Sequence, residues 1–159
     1  MLFRSFVGGY DDLEDGIIRI IGDPETRYRE DPVRMLRAVR FIGKLGLELE
    51  EDTAEPIRRL APLLRDVSPS RLFDEILKLL QAGHGQATFP ELVKHDLLRP
   101  LFPQTEGLLS ESDDLHYQRL IDLALLNTDT RLNEGKSVTP AFLYAALHWP
   151  QVQHRWEEL

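Results

Sequence analysis

Arg27-Tyr-Arg-Glu-Asp-Pro-Val-Arg-Met-Leu-Arg-Ala-Val-Arg-Phe41 puts five arginines and an adjacent Glu30-Asp31 pair at the opening of a segment that reads as an amphipathic helix. Asp31, or a residue just before it, is placed to cap that helix. Pro32 suits its first turn, where a missing N–H goes unnoticed. Val33, Met35, Leu36, Val39 and Phe41-Ile42 supply apolar positions at spacings of three and four, and Gly43 and Gly46 close the pattern.

Downstream the helical reading continues. Asp52-Thr53 opens a helix through Leu60, and Ser68-Pro69-Ser70 starts a stronger one, Arg71 to Gln81, ended by Gly83 and Gly85. Further candidates are Gln86 to His95, Leu98 to Phe102, Asp113 to Asn127 and Pro140 to His148, with Asn127 to Ser137 as a polar loop. Trp149 and Trp156, seven apart, are expected to pack if Pro150 begins a helix. The five histidines lack metal-ligand spacing and read as surface or cap residues. Upstream, residues 1–24 lack helical periodicity. Glycines and Pro24 punctuate them, with Ile17-Ile18-Arg19-Ile20-Ile21 as a short extended run. The expected fold class is all-α, a multi-helix array with a short non-helical N-terminal lead-in.

Composition bounds the partners. At 159 residues, 42% hydrophobic and 29% charged, the chain suits a globular domain with a real core. No apolar run approaches a membrane span, and the first residues do not read as a signal peptide. The absence of cysteine excludes disulfides and thiolate metal sites and fits a cytoplasmic protein. Net charge is −8, yet Arg19 to Lys44 carries seven basic against four acidic residues, +3 locally, leaving −11 elsewhere. Contact with phosphate is therefore expected at one site rather than over a basic surface.

Within that site Asp31 and Arg34, three apart, would share a helix face. A carboxylate only accepts hydrogen bonds and a guanidinium only donates them. Adenine presents an amino donor beside a ring-nitrogen acceptor, and cytosine offers the same order. Uracil and guanine reverse it. The pair is therefore suited to admit A or C and reject U or G, a mismatch costing about 1–3 kcal/mol per unpaired buried group. The plainer reading is a solvated ion pair of about 0.3–0.5 kcal/mol. Arg34, Arg37 and Arg40 fall on one ridge and could share an anionic partner.

The ordered series Gly8-Gly9…Asp12-Leu13-x-x-Gly16-x-Ile18-Arg19, then Ile21-Gly22-Asp23-Pro24-x-x-Arg27-x-x-Glu30-Asp31-Pro32-x-Arg34-x-x-Arg37-Ala38-x-Arg40-Phe41, resembles the class II nucleotidyltransferase family. That family holds the bacterial CCA-adding enzymes and poly(A) polymerases. Ser70-Arg71-Leu72-Phe73-Asp74-Glu75, Leu101-Phe102-Pro103 and Pro140-Ala141-Phe142-Leu143 resemble the poly(A) polymerase branch.

The resemblance implies that Asp31 and Arg34 pair with the base of an incoming ATP. Arg27, Glu30, Arg37 and Arg40 would support that pocket, and Asp12 to Gly16 would be a hinge. It implies a head remnant and hinge over 1–24, a base-recognition neck over 25–105 and the start of a body over 106–159. The family's Gly-Ser phosphate motif, metal-binding Asp-x-Asp and Arg-Arg-Asp-Phe do not occur. Accordingly no catalytic residue and no metal ligand is expected in this chain. Mg²⁺ would be bound by the absent head, and the chain alone would be inactive. The expected partners are ATP and an RNA 3′-end, with AMP transfer to RNA as the parent reaction. A CCA-adding enzyme is the close alternative, since the same pair can read C. A non-catalytic helical RNA- or nucleotide-binding module is the alternative of a different class.

Overall fold

The computed structural model describes residues 9–111 and 115–157. The all-α expectation holds, with ten α-helices among the described residues. The lead-in departs from it. Gly9–Glu14 forms a short helix, α1, and Ile17–Ile18 forms a strand, β1. β1 pairs in parallel with β2, Glu48–Leu49, in the register Ile17 to Glu48 and Ile18 to Leu49. Residues 1–8 and the proposed helix start at Asp113 lie outside the described residues.

The arginine stretch is two helices, not one. α2 spans Pro24–Glu30, with the Asp23 carboxylate accepting from Thr26 N and Pro24 in the first turn. α3 spans Val33–Leu45. Between them Asp31 is extended, at φ −149° and ψ 95°. The cause is local, because a residue before proline is crowded out of the helical region by the proline ring. Asp31 thus ends α2, and Pro32 takes the cap position of α3. Gly46, at φ 66°, ends α3 in the left-handed conformation that glycine adopts without strain. Gly43 lies inside α3 instead of closing it. A Cβ there would collide with Thr88, so the missing side chain lets α3 press against a later helix.

That helix is α6, Gly85–Lys94. Before it come α4, Glu51–Leu60, a 3-10 turn over Ala61–Asp66, and α5, Pro69–Leu80. α7, Leu98–Leu101, and α8, Pro103–Glu111, follow; the second of these has no counterpart in the sequence reading. α9, Leu115–Asn133, runs beyond the expected end at Asn127, and α10 spans Pro140–Glu157. The expected polar loop from 127 is thus largely helix. Thr128 and Thr130 bond back to the carbonyls of Ala124 and Leu126, and the buried Asp129 carboxylate accepts from Gly85 N at 2.8 Å and Gln86 N at 2.9 Å. One acidic residue of α9 therefore caps α6.

A continuous core of Tyr28, Leu36, Ile57, Leu64, Leu79 and Leu92 extends into Tyr117, Ile121, Leu125 and Leu147. Tyr28 is fully buried, and its hydroxyl donates to Thr53 O at 2.9 Å. The tryptophans correct the sequence reading. Pro150 lies within α10, and that helix turns Leu143 and Leu147 inward, leaving Trp149 54% and Trp156 79% exposed. His95 stands at the C-cap of α6, one of the two places expected for a histidine, and not at the surface. It is buried 3.4 Å from Glu91, and burial holds its pKa below the ordinary value.

Candidate nucleotide-binding site

The arginines do not meet at one anion. Glu30 Oε2 accepts from Arg27 Nη1 at 2.8 Å and Arg34 Nη1 at 2.9 Å, and Arg34 Nη1 also reaches Arg27 O at 3.1 Å. The Arg34 hydrogen bond, outweighing desolvation with help from Arg27, holds Glu30 below the usual carboxylate range. Arg37 instead turns to Glu75 on α5 at 3.3 Å, a buried carboxylate that Lys78 also approaches at 3.1 Å. Arg40 stands over the Phe41 ring, 5.2 Å from its centroid, as a cation–π pair. The ridge of Arg34, Arg37 and Arg40 thus has three separate partners.

Asp31 is held from a different side. Its Oδ2 accepts from Arg71 Nη2 at 2.8 Å, and Oδ1 takes a longer bond of 3.3 Å from Val33 N. Desolvation pushes its pKa up, but the bond and charge of Arg71, with smaller help from Val33 N and Arg37, bring it below the ordinary value. Asp31 and Arg34 consequently border two cavities. Arg34 lines one of about 320 Å³ with Arg27, Arg37, Ile20, Ala38 and Phe41. Asp31 lines another of about 370 Å³ with Arg29, Asp66 and Arg71. The break at Asp31-Pro32 is what separates them, since the one-face geometry assumed for the pair required an unbroken helix.

The first cavity combines guanidinium groups with apolar walls, the composition that suits a flat base carrying a few polar edges. Every bond of the Arg34 side chain to the described residues leaves from Nη1. Arg27 Nε is buried with no hydrogen-bond partner. The remaining guanidinium donors of Arg34 therefore face a space with aromatic and aliphatic sides. A second groove of about 390 Å³, lined by Phe89, Pro90, Ile121 and Leu125, contains none of the arginines.

The residues expected at a hinge, Asp12 and Gly16, lie near this site. Asp12 accepts from Arg19 Nε at 3.0 Å, and Arg19 also reaches Glu50 at 3.0 Å. Gly16, at φ 73°, lets the chain turn from α1 into β1, and its carbonyl accepts from Glu48 N at 2.9 Å. Sequence reading gave no role to Arg71, Glu75 or Arg19. Arg71 and Glu75 stand one turn apart on α5, an opposite-charge pair on a helix whose Ile76, Leu79 and Leu80 are core, and that spacing was the available signal. Among the described residues no three acidic or histidine side chains converge to hold a metal, and no helix is long and apolar enough to cross a membrane.

Comparison with known proteins supplies a family for this fold. Residues 46–109 match the family described as the probable RNA and SrmB-binding site of polymerase A. The chain is 56% identical over 146 residues to poly(A) polymerase I of Escherichia coli O6:H1, covering 92% of this chain and 31% of that protein. Against poly(A) polymerase I of Haemophilus influenzae the identity is 47% over 156 residues, 98% of this chain and 34% of the relative. The chain thus spans about a third of the length of these curated relatives. Among solved structures, the Bacillus stearothermophilus CCA-adding enzyme in complex with CTP superposes with a TM-score of 0.62 at 29% identity, over 89% of this chain and 36% of that one. Over the residues it holds, the chain belongs to the family that joins bacterial poly(A) polymerase I with the CCA-adding enzymes.

Proposed function

We propose that this segment selects the base of incoming ATP and lines part of the RNA path in a template-independent polymerase that adds AMP to RNA 3′-ends. The observation that carries the reading is the break at Asp31-Pro32. It sets an acceptor and a cluster of guanidinium donors on either side of one turn, each bordering its own cavity, with apolar walls on the arginine side. In the bound state Asp31 accepts from the adenine amino group, and Arg34 donates to the neighbouring ring nitrogen. That arrangement requires Arg34 to swing from Glu30 towards the turn, and Glu30 remains satisfied by Arg27. Arg27, Arg37 and Arg40 support the pocket. Residues 25–105 act as the neck and 106–159 as the start of a body, with Asp12 and Gly16 at the hinge. In this reading Mg²⁺ and the catalytic carboxylates belong to a catalytic head of the parent enzyme. A cytoplasmic location goes with this reading.

The 47–56% identity to poly(A) polymerases over 92–98% of the chain, against 34–41% to CCA-adding enzymes over 61–74% of it, favours adenylation over CCA addition. The test replaces the matching segment of the Escherichia coli relative with this chain and measures nucleotide incorporation. ATP should be used well ahead of UTP, and Arg34→Ala should reduce that preference about tenfold, the scale of one unpaired polar group. Unchanged discrimination would remove Arg34 from base reading. Incorporation of CTP before ATP would sink the poly(A) assignment.

A further inference from the structure

Asp31 is not fixed by helix geometry, because its backbone is extended between α2 and α3. Two hydrogen bonds orient its carboxylate. The one from Val33 N is 3.3 Å long, whereas the charge-assisted bond from Arg71 Nη2 is 2.8 Å. Arg71 thus supplies the stronger restraint, from a helix forty residues further along the chain. We propose that Arg71 is a positioning residue for base selection, holding Asp31 through Oδ2 and turning Oδ1 towards the base. This rests on the base-reading role proposed above for Asp31.

The chemistry needs a fixed orientation, because a carboxylate only accepts hydrogen bonds and selects a base edge only while its free oxygen points at the amino donor. The charged groups around Asp31 are Arg29 and Glu30 from α2, Arg37 from α3, Asp66 from the 3-10 turn and Arg71 from α5. Of these only Arg71 is bonded to it. Without Arg71 the carboxylate keeps only the longer bond from Val33 N and is free to turn, and the donor–acceptor sense of the pair blurs.

α5 is registered for this task. Arg71 and Glu75, one turn apart, meet Asp31 and Arg37 in the same order along both segments. Sliding α5 by one turn would bring Arg71 towards Arg37 in one direction or Glu75 towards Asp31 in the other, like charges in each case. The buried Glu75, bonded to both Arg37 and Lys78, anchors that register from the interior side.

The experiment uses the whole 159-residue chain. Amide shifts are followed by NMR as ATP or UTP is added without metal, and the Asp31 carboxyl carbon is followed against pH. The unsubstituted chain should bind ATP about tenfold more tightly than UTP. In Arg71→Ala the ATP dissociation constant should rise to the UTP value while the UTP value stays put, and the Asp31 midpoint should move up. Arg71→Lys, which keeps one charged donor, should restore part of the preference, and it carries the test if Arg71→Ala does not fold. Equal weakening towards both nucleotides would make Arg71 scaffolding only and overturn the inference. So would an unchanged preference in Arg71→Ala alongside a lost one in Asp31→Asn, with base reading left standing. No ATP preference in the unsubstituted chain would instead remove the base-reading role, and this inference with it.

Discussion

The arginine-bearing face of α2, α3 and α5 and the outer face of α9 and α10 rest on one core yet meet solvent in opposite ways. On the first, cations are tied one by one to carboxylates, Arg34 to Glu30, Arg71 to Asp31 and Arg37 to Glu75. On the second, Leu115, Leu123, Trp149, Val152 and Trp156 lie against water, with exposures from 49% to 79%. Directed bonds specify where each group points, while apolar area specifies only that it be covered. A site that must tell one base from another therefore belongs on the first face. Salt should separate the two as well, because exposed ion pairs weaken over a Debye length of about 8 Å at physiological ionic strength.

The same substitution on both faces gives the largest contrast. Leu36→Ala, beneath the arginine face and fully buried, should lower unfolding stability by about 2–5 kcal/mol in denaturant titrations. Leu123→Ala, 49% exposed on α9, should stay within about 0.5 kcal/mol. A comparable loss at both positions would erase the distinction drawn here. The seam between the regions offers a smaller effect. Asp129→Ala removes the carboxylate from α9 that caps α6, and should cost about 1–2 kcal/mol, with faster amide exchange at Gly85 and Gln86. Unaltered exchange at those two amides would show that the cap is not what joins the halves.

The smallest effect is acid sensitivity confined to the arginine face. Glu25 bonds Arg59 of α4 and Arg29 of its own helix, and those bonds, Arg59 first, pull its pKa down to about 2 from 4.5. A carboxyl lowered on folding stabilises the native state above its unfolded value and loses that contribution as pH falls towards the folded one. Glu25→Gln should therefore be less stable than the parent at neutral pH and should lose less melting temperature between about pH 5 and pH 2.5. An identical pH slope in both proteins would take Glu25 out of the link between α2 and α4.

Much of this was legible locally. Ser68-Pro69 and Asp52-Thr53 marked the starts of α5 and α4 to within two residues, although the cap of α4 is Glu50, which accepts from Thr53 N, and Ser68 makes no side-chain cap bond. The break at Asp31 was also written locally, in the proline that follows it, but the apolar spacing from Val33 onward hid it. Other features depend on distant partners. Asn127-Thr128-Asp129-Thr130 reads as a breaker until Asp129 is seen to satisfy two amides of α6. The ownership of each arginine was likewise invisible, because Arg71 and Glu75 arrive some forty residues later. Spacing could nominate Asp31 and Arg34. It could not show that they face separate cavities.

The two-residue parallel pairing of β1 with β2 carries a mechanical consequence. Residues 16–20 are stitched to 48–53 by Glu48 N to Gly16 O, Glu50 N to Ile18 O and Ile20 N to the Thr53 hydroxyl. Thr53 also receives the Tyr28 hydroxyl at its carbonyl, and Ile18, Ile20 and Ile21 form one wall of the cavity that Arg34 lines. A load applied to the lead-in is therefore not dissipated in a loose tether. It is delivered as a displacement of that wall, so strain in residues 16–20 and the volume of the cavity vary together.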